Sequence, residues 1–297
     1  MDSGREGAAD RGRGVLLMSA GGVLLGTVGL FVEKSGQSPL TAVFFRCAFG
    51  ALILFSYALL VGRGSELRLT AAGFLIAILT GGLMILNWAC FFTAIGDTSI
   101  AIATVAFHVQ PLWVMAFGMI FWGESRSPVR IGAGFAALIG LALTTGLATH
   151  SASAEQTRYL HGLGYAFVAS LSYTAVTLIA KTQRSMSAFG LAAWQCAIGA
   201  ILLAWWPWFH GWPDGAAPWG WLIGLGVGPT AIAYVLLYAG MRHLQAVQIA
   251  ILQFIYPITA ILVDHWVFGN RLSPVQWAGV ALMGGALWIA GRPRLRT

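Results

Sequence analysis

The sequence predicts an all-α polytopic membrane protein: ten transmembrane helices forming two inverted five-helix repeats around a central cavity. Three observations predict it. Of the 297 residues 58% are hydrophobic and 9% charged, with a mean hydropathy of +0.77, so there is too little polar surface to cover a soluble globule. Most residues fall in apolar runs of about 18 to 25, long enough to cross the hydrocarbon core at about 1.5 Å rise per residue. The chain also repeats its own motifs at a near-constant offset.

Taken in order, the runs cover residues 15–34, 39–62, 70–94, 99–122, 129–148, 161–181, 187–209, 218–241, 244–268 and 274–291. Residues 1–14 mix Asp2, Arg5, Glu6, Asp10, Arg11 and Arg13 with Gly and Ala and read as a disordered tail. The apolar run that follows is too long for a typical cleaved signal and is taken as a retained span. Connections are short, and the longest, 149–160, is too small for a domain. With the N-terminus inside, Arg5, Arg11, Arg13, Arg63, Arg68, Arg126, Arg130, Lys181, Arg184, Arg242, Arg292, Arg294 and Arg296 lie inside, and Lys34, Arg158 and Arg271 outside. Thirteen against three places both termini in the cytoplasm, so the net charge of +7 reports topology, not nucleic-acid binding. Cys47, Cys90 and Cys196 all fall within spans and read as small apolar packing residues.

The duplication is legible residue by residue. Pro111, Gly123 and Ser127-Pro128-Val129 recur as Pro257, Gly269 and Ser273-Pro274-Val275, all 146 positions later. Upstream, Cys47-Ala48-x-Gly50-Ala51-x-x-Leu54 recurs as Cys196-Ala197-x-Gly199-Ala200-x-x-Leu203 at an offset of 149. Because five is odd, the two halves cross the membrane in opposite senses. The chain thus divides into a tail (1–14), a first repeat (15–148), a second, inverted repeat (161–291) and a short cytoplasmic tail (292–297). Inverted repeats are a transporter architecture, with the substrate site near the midplane where they meet.

Site candidates follow from depth and chemistry. His108 is the titratable side chain at mid-depth, able to carry a proton, to line a cavity as a polar group, or to sit as a packed ring. Pro111 and Pro257 each remove an i to i−4 bond at matching depths and are read as hinges. Arg46 lies about 10 Å from the outer end of its span; it either caps carbonyls at a bundle contact or meets a carboxylate. Trp88, Tyr173, Trp194, Tyr234, Tyr238 and Tyr256 lie within spans beside Asn87, Thr177, Gln195 and Gln253. A ring-lined cavity with few amides and hydroxyls suits a small apolar or zwitterionic solute. The substrate-binding set is therefore Arg46, Asn87, Trp88, His108, Tyr173, Trp194, Tyr234, Tyr238, Gln253 and Tyr256. Trp205, Trp206, Trp208, Trp212, Trp219 and Trp221 cluster at span ends, as headgroup anchors do. Gly22-xxx-Gly26 and Gly132-xxx-Ala136-xxx-Gly140 permit close helix contact. Glu124 and Arg126 are expected to be a solvated loop pair.

Phe44-Phe45-Arg46 in span 2, a mid-span Pro in spans 4 and 9, and Gly123-Glu124 closing span 4 resemble the EamA-type proteins of the drug/metabolite transporter superfamily. Over residues 15–291 the chain looks most like the YddG-type exporters of bacterial inner membranes, whose substrates include aromatic amino acids. The resemblance implies export of amino acids and related small metabolites by alternating access. Gly269-Asn270 lacks the acid of Gly123-Glu124, and Gln195 stands where the repeat would place a second Arg, so charges are not symmetric between the halves.

The partners expected are a small-molecule substrate and the lipid bilayer, with no nucleic acid and no cofactor, for a chain acting as a monomer. Without G-x-x-x-x-G-K-[ST] or a soluble domain, ATP is not expected to drive it. A phosphate-sugar carrier would need several mid-membrane Lys or Arg. A small multidrug antiporter would need an acid midway along span 1, and a membrane enzyme a nucleophile with its base or metal-ligand spacing such as H-E-x-x-H. Export of other metabolites or drugs, and a receptor or assembly role, are the alternatives.

Overall fold

A computed structural model describes residues 2–98, 100–124, 127–144, 156–269 and 271–291. Among them the chain is all helix, 85% of it, with no strand. The helices are α1 (Asp2–Gly26), α2 (Val28–Ser35), α3 (Pro39–Leu60), α4 (Ala71–Asp97), α5 (Ile100–Phe107), α6 (Gln110–Phe121), α7 (Pro128–Thr144) and α8 (Gln156–Thr182). They are followed by α9 (Ala188–Leu203), α10 (Trp206–His210), α11 (Ala216–Gly226), α12 (Ala233–Met241), α13 (Ala246–Leu252), α14 (Ile255–Val267) and α15 (Pro274–Gly291). Seven apolar helical stretches of 20 to 27 residues are long enough to cross a membrane; Pro128–Thr144, Ala188–Leu203 and Pro274–Ile289 are apolar but shorter. The sequence predicts ten spans; among the described residues seven helices are long enough to cross a membrane, and these three fall short of that length. In span 7 the chain turns after Leu203 and continues as α10, which starts around Pro207.

Local chemistry sets the ends. Ser38, Thr70 and Ser187 cap α3, α4 and α9 by accepting from the amides of Thr41, Gly73 and Gly190. Gly123 and Gly269, equivalent in the repeat, both take positive φ (58° and 73°), and Pro128 and Pro274 open α7 and α15. The first helix differs from expectation, since α1 extends back to Asp2 where a disordered tail was expected. The extension has a support: a Cβ on Gly14 would lie 2.8 Å from His243 Cβ, so α1 lies directly against the α12–α13 turn.

Packing obeys the repeat. α7 lies along α15, α4 along α8, α1 along α12, α3 along α9, and α6 against α13. Exchanging the halves leaves this set unchanged, since 1·8 and 3·6 interchange while 2·7, 4·9 and 5·10 map onto themselves. The duplicated Cys-Ala-x-Gly motif sits on the self-paired 2·7 contact. A Cβ on Gly199 would lie 2.8 Å from Cys47 Sγ, and one on Gly50 would lie 3.0 Å from Cys196 Sγ. All three cysteines are free and buried. Gly140 and Gly279 do the same for 5·10, each standing where a Cβ would meet the other's carbonyl oxygen at 2.7 and 2.4 Å. Gly22 and Gly26 admit Ile255, Tyr256 and Thr259 of α14, whereas Gly132 has open space. The outward surface carries large apolar side chains such as Leu60, 86% exposed, as a lipid-facing wall requires. Of the tryptophans, Trp205 and Trp208 are exposed, while Trp206 donates to Thr41 Oγ1 and Trp219 packs its ring on Phe45.

Candidate functional site: a central cavity closed at the basic end

Both proline-bearing spans are broken about one turn before the proline. Pro111 has no N–H for the Phe107 carbonyl and Pro257 none for that of Gln253, and the helices lapse at His108–Val109 and Gln253–Phe254. A third break escaped the sequence reading. Pro229 offers no N–H to the Leu225 carbonyl, and the chain widens into a π-helical turn over Val227–Ile232. There the Thr230 hydroxyl donates to that same carbonyl at 2.7 Å.

The breaks at His108–Val109 and Gln253–Phe254 border a cavity of about 170 Å³, and the π-turn bears on it through the Thr230–Arg46 bond. Arg46, Asn87, Trp88, His108, Tyr173, Tyr234, Gln253 and Tyr256 line it, with Pro111. Two residues of the expected set do not. Trp194 donates from its indole to the Leu67 carbonyl at 3.0 Å and packs edge-on against Phe55, nearer the end of the bundle that carries Arg63 and Arg68. Tyr238 is 1% exposed and donates to Gln195 Oε1. In both cases a polar tip finds its partner within the helix packing and so has no reason to turn inward. Pro257 is buried beside the cavity without lining it.

Arg46 is 5% exposed. Its Nε donates to Thr230 Oγ1 at 3.0 Å, so the hydroxyl that repairs the π-turn also anchors the guanidinium. The guanidinium carbon lies 4.7 Å from the Trp88 ring centroid and 5.9 Å from that of Tyr234, within cation–π range. Nη2 is buried without a partner, and no carboxylate lines the cavity among the described residues. Among the described residues Arg46 meets neither a carboxylate nor a backbone carbonyl, the two roles expected for it; a hydroxyl and two rings hold it.

Polar groups elsewhere on the wall converge on one hydroxyl. Gln110 Nε2 and Gln253 Nε2 both donate to Thr177 Oγ1, at 3.5 and 3.4 Å, joining spans 4, 6 and 9. Gln253 Oε1 is buried without a partner. Asn87 donates to the Ala169 carbonyl at 2.9 Å. His108, 4% exposed, donates from Nδ1 to the Thr104 carbonyl at 2.7 Å and stacks on Tyr256 at 5.8 Å between centroids. Gln110, a mid-span amide that marks span 4 as not purely lipid-facing, stands outside the expected substrate-binding set yet lines the cavity. The sequence reading also missed Phe91, Phe92 and Phe107, which carry no such mark, since a Phe lining a cavity reads like one facing a neighbouring helix.

Below Leu237, Met241 and Leu252 the bundle is closed at the arginine-rich end. Glu124 accepts from Lys181 Nζ and from the backbone amides of Ala246 and Val247, the latter two at 2.9 and 3.4 Å, tying span 4 to span 6 and to the N-terminus of α13. Its side chain is 9% exposed, so it is not half of a solvated loop pair; the orphan amides of α13 draw it inward. Arg126, the expected partner, lies outside the described residues. A Cβ on Gly118 would lie 2.3 Å from that of Ala246, so α6 and α13 meet there at glycine distance. Ser187 donates to Glu66 and Arg130 to Gln245, adding further ties between the halves.

A bundle of apolar helices, broken at three prolines around a polar-tipped cavity, is the build of a membrane transporter. Residues 12–146 and 160–292 each match the EamA-like transporter family, and the chain belongs to that family. It is 31% identical over 282 residues to an uncharacterized transporter of Archaeoglobus fulgidus, covering 94% of each chain. It is 26% identical to the uncharacterized transporter YxxF of Bacillus subtilis, over 94% of this chain and 90% of that one. Over 120 residues it is 30% identical to the pseudopaline exporter CntI of Pseudomonas aeruginosa, covering 37% of this chain and 41% of that one. A crystal structure 21% identical in sequence superposes with a TM-score of 0.81, covering 94% of this chain and 97% of that one, and shares the fold.

Proposed function

We propose that this protein is a secondary transporter of the bacterial inner membrane that exports amino acids, aromatic and other apolar ones among them, by alternating access. The arginine-rich end faces the cytoplasm in this reading, with both termini inside and ten spans forming two inverted repeats. The observation that carries it is Arg46, its Nη2 buried without a partner, on the wall of a cavity also lined by Trp88, Tyr173, Tyr234 and Tyr256. A guanidinium whose planar fork is only partly used suits a carboxylate, and the rings suit an apolar side chain. The free Oε1 of Gln253 offers an acceptor to an ammonium group. Alternation would run about the breaks ahead of Pro111 and Pro257, with the Glu124 cluster closing the cytoplasmic side.

Cells expressing the protein should accumulate less of otherwise toxic amino acid analogues and dipeptides, and survive them. Unchanged accumulation over a panel including Phe, Trp, Met and Thr would sink this reading. The similarity to an exporter of pseudopaline favours a second reading, export of a different small metabolite. Efflux of carboxylate-bearing metabolites with no response to amino acids would select it.

A further inference from the structure

A second hollow, about 300 Å³, lies at the arginine-rich end between α1, α7 and the turn joining α12 to α13. It is lined by Arg11, Arg130, Arg242, His243, Gln245 and Gln248. It shares no lining residue with the central cavity, which reaches as far as Met241 and Leu252. Three arginines from three elements thus line one small space. Among the described residues, Asp10, 69% exposed, places its Oδ1 3.9 Å from His243 Nδ1 at the rim of this group. Like charges gathered at partial burial cost stability unless something negative lies among them.

Two of the arginines are also held in place. Arg130 is 7% exposed and donates from Nη1 to Gln245 Oε1 at 3.4 Å. Arg242 donates from Nη2 to the Met186 carbonyl at 2.6 Å, which fixes the guanidinium while its Nε stays buried without a partner. Burial, and then the nearby Arg184, lower the pKa of Arg242 from its ordinary value. Depth matters as well. Arg242 follows directly on the span ending at Met241, and Arg130 lies in the first turn of α7, so the hollow sits where an apolar span meets water.

We propose that this hollow binds a phosphate group, supplied either by the phosphodiester of an anionic phospholipid or by a phosphate-bearing solute. Arginine forks match phosphate oxygens in geometry, and basic pockets between spans at headgroup depth are suited to acidic lipid heads. Gln245 is also the N-cap of α13, whose first amides bind Glu124, so a phosphate here braces the turn that closes the transport cavity. The assignment does not depend on which solute crosses the membrane.

The test uses the purified full chain in a neutral detergent. Native mass spectrometry and thermal unfolding are followed with phosphatidylglycerol, with zwitterionic phosphatidylcholine and with inorganic phosphate, each added separately. The parent should favour phosphatidylglycerol over phosphatidylcholine by about tenfold, or be stabilised by inorganic phosphate at unchanged ionic strength; the first result assigns the lipid source and the second the solute source. Arg11→Gln with Arg242→Gln should remove the preference, and Arg63→Gln, an exposed arginine at the same end, should keep it. If the double variant does not fold, Arg242→Lys, which keeps charge but loses the fork, should weaken binding while unfolding cooperatively. Equal retention of the two lipids with no response to phosphate, or undiminished binding in the folded double variant, overturns the proposal.

Discussion

Arg46 and Thr230, 184 positions apart, share a 3.0 Å hydrogen bond whose acceptor also bonds the Leu225 carbonyl that Pro229 leaves open. The cation of the cavity is therefore oriented by a defect in the opposite repeat. Thr230→Val keeps the shape and removes the hydroxyl; Arg46→Lys keeps the charge and removes the fork. In vesicle uptake of an amino acid, Arg46→Lys should lower kcat/KM by about tenfold to a hundredfold, and Thr230→Val by several-fold with a smaller change in stability. Uptake at parental rates by Arg46→Lys would remove the guanidinium from the site.

The Glu124 cluster should control access from the cytoplasm. Glu124→Gln and Lys181→Met each break its charge pairing, and a buried carboxylate or ammonium loses a partner worth about 1.5–3 kcal/mol. With Leu252→Cys as reporter at the cavity floor, a membrane-impermeant maleimide applied from the cytoplasmic side should label these variants several-fold faster than the parent. Equal labelling would show that Glu124 only caps α13.

His108 donates to a backbone carbonyl and stacks on Tyr256, an arrangement a neutral imidazole satisfies. The cavity also lacks the mid-membrane acid that proton-coupled transporters use, among the described residues. Transport should therefore be uncoupled from protons. An imposed pH gradient should leave initial uptake unchanged, and His108→Gln should alter affinity but not pH dependence. Uphill accumulation driven by a pH gradient, lost in His108→Gln while downhill exchange persists, would reverse this.

Glycines on the 5·10 contact should be intolerant while their neighbour is not. Gly279→Ala would place a Cβ 2.4 Å from the Gly140 carbonyl oxygen, backbone that cannot swing aside, and should cost about 1–3 kcal/mol by thermal unfolding in detergent. Gly132→Ala, with open space, should be neutral or slightly stabilising.

Orientation is testable with a reporter active only in the cytoplasm. Fused after Thr297 it should give signal, and inserted at Ser153 it should not.

Much of the architecture was present in the sequence. Apolar runs, Gly123 with Gly269 and Pro128 with Pro274 marked helix ends that the fold keeps, because capping and positive φ are local demands that neighbouring residues meet. Helix breaks ahead of Pro111 and Pro257 were legible for the same reason, a missing N–H. Long-range packing decided the rest. Trp194, Tyr238 and Tyr234 look alike as mid-span aromatics, and only the rotation of each helix against its neighbours sends two tips to partners in the packing and one ring to the cavity. Glu124 reads as a loop acid until α13 brings its unbonded amides within 2.9 Å, and Arg11, Arg130 and Arg242 read as topology markers until three elements converge. Periodicity and missing donors act within a turn or two of the chain. Burial and charge pairing depend on residues tens to well over a hundred positions away, and only the tertiary structure brings those together.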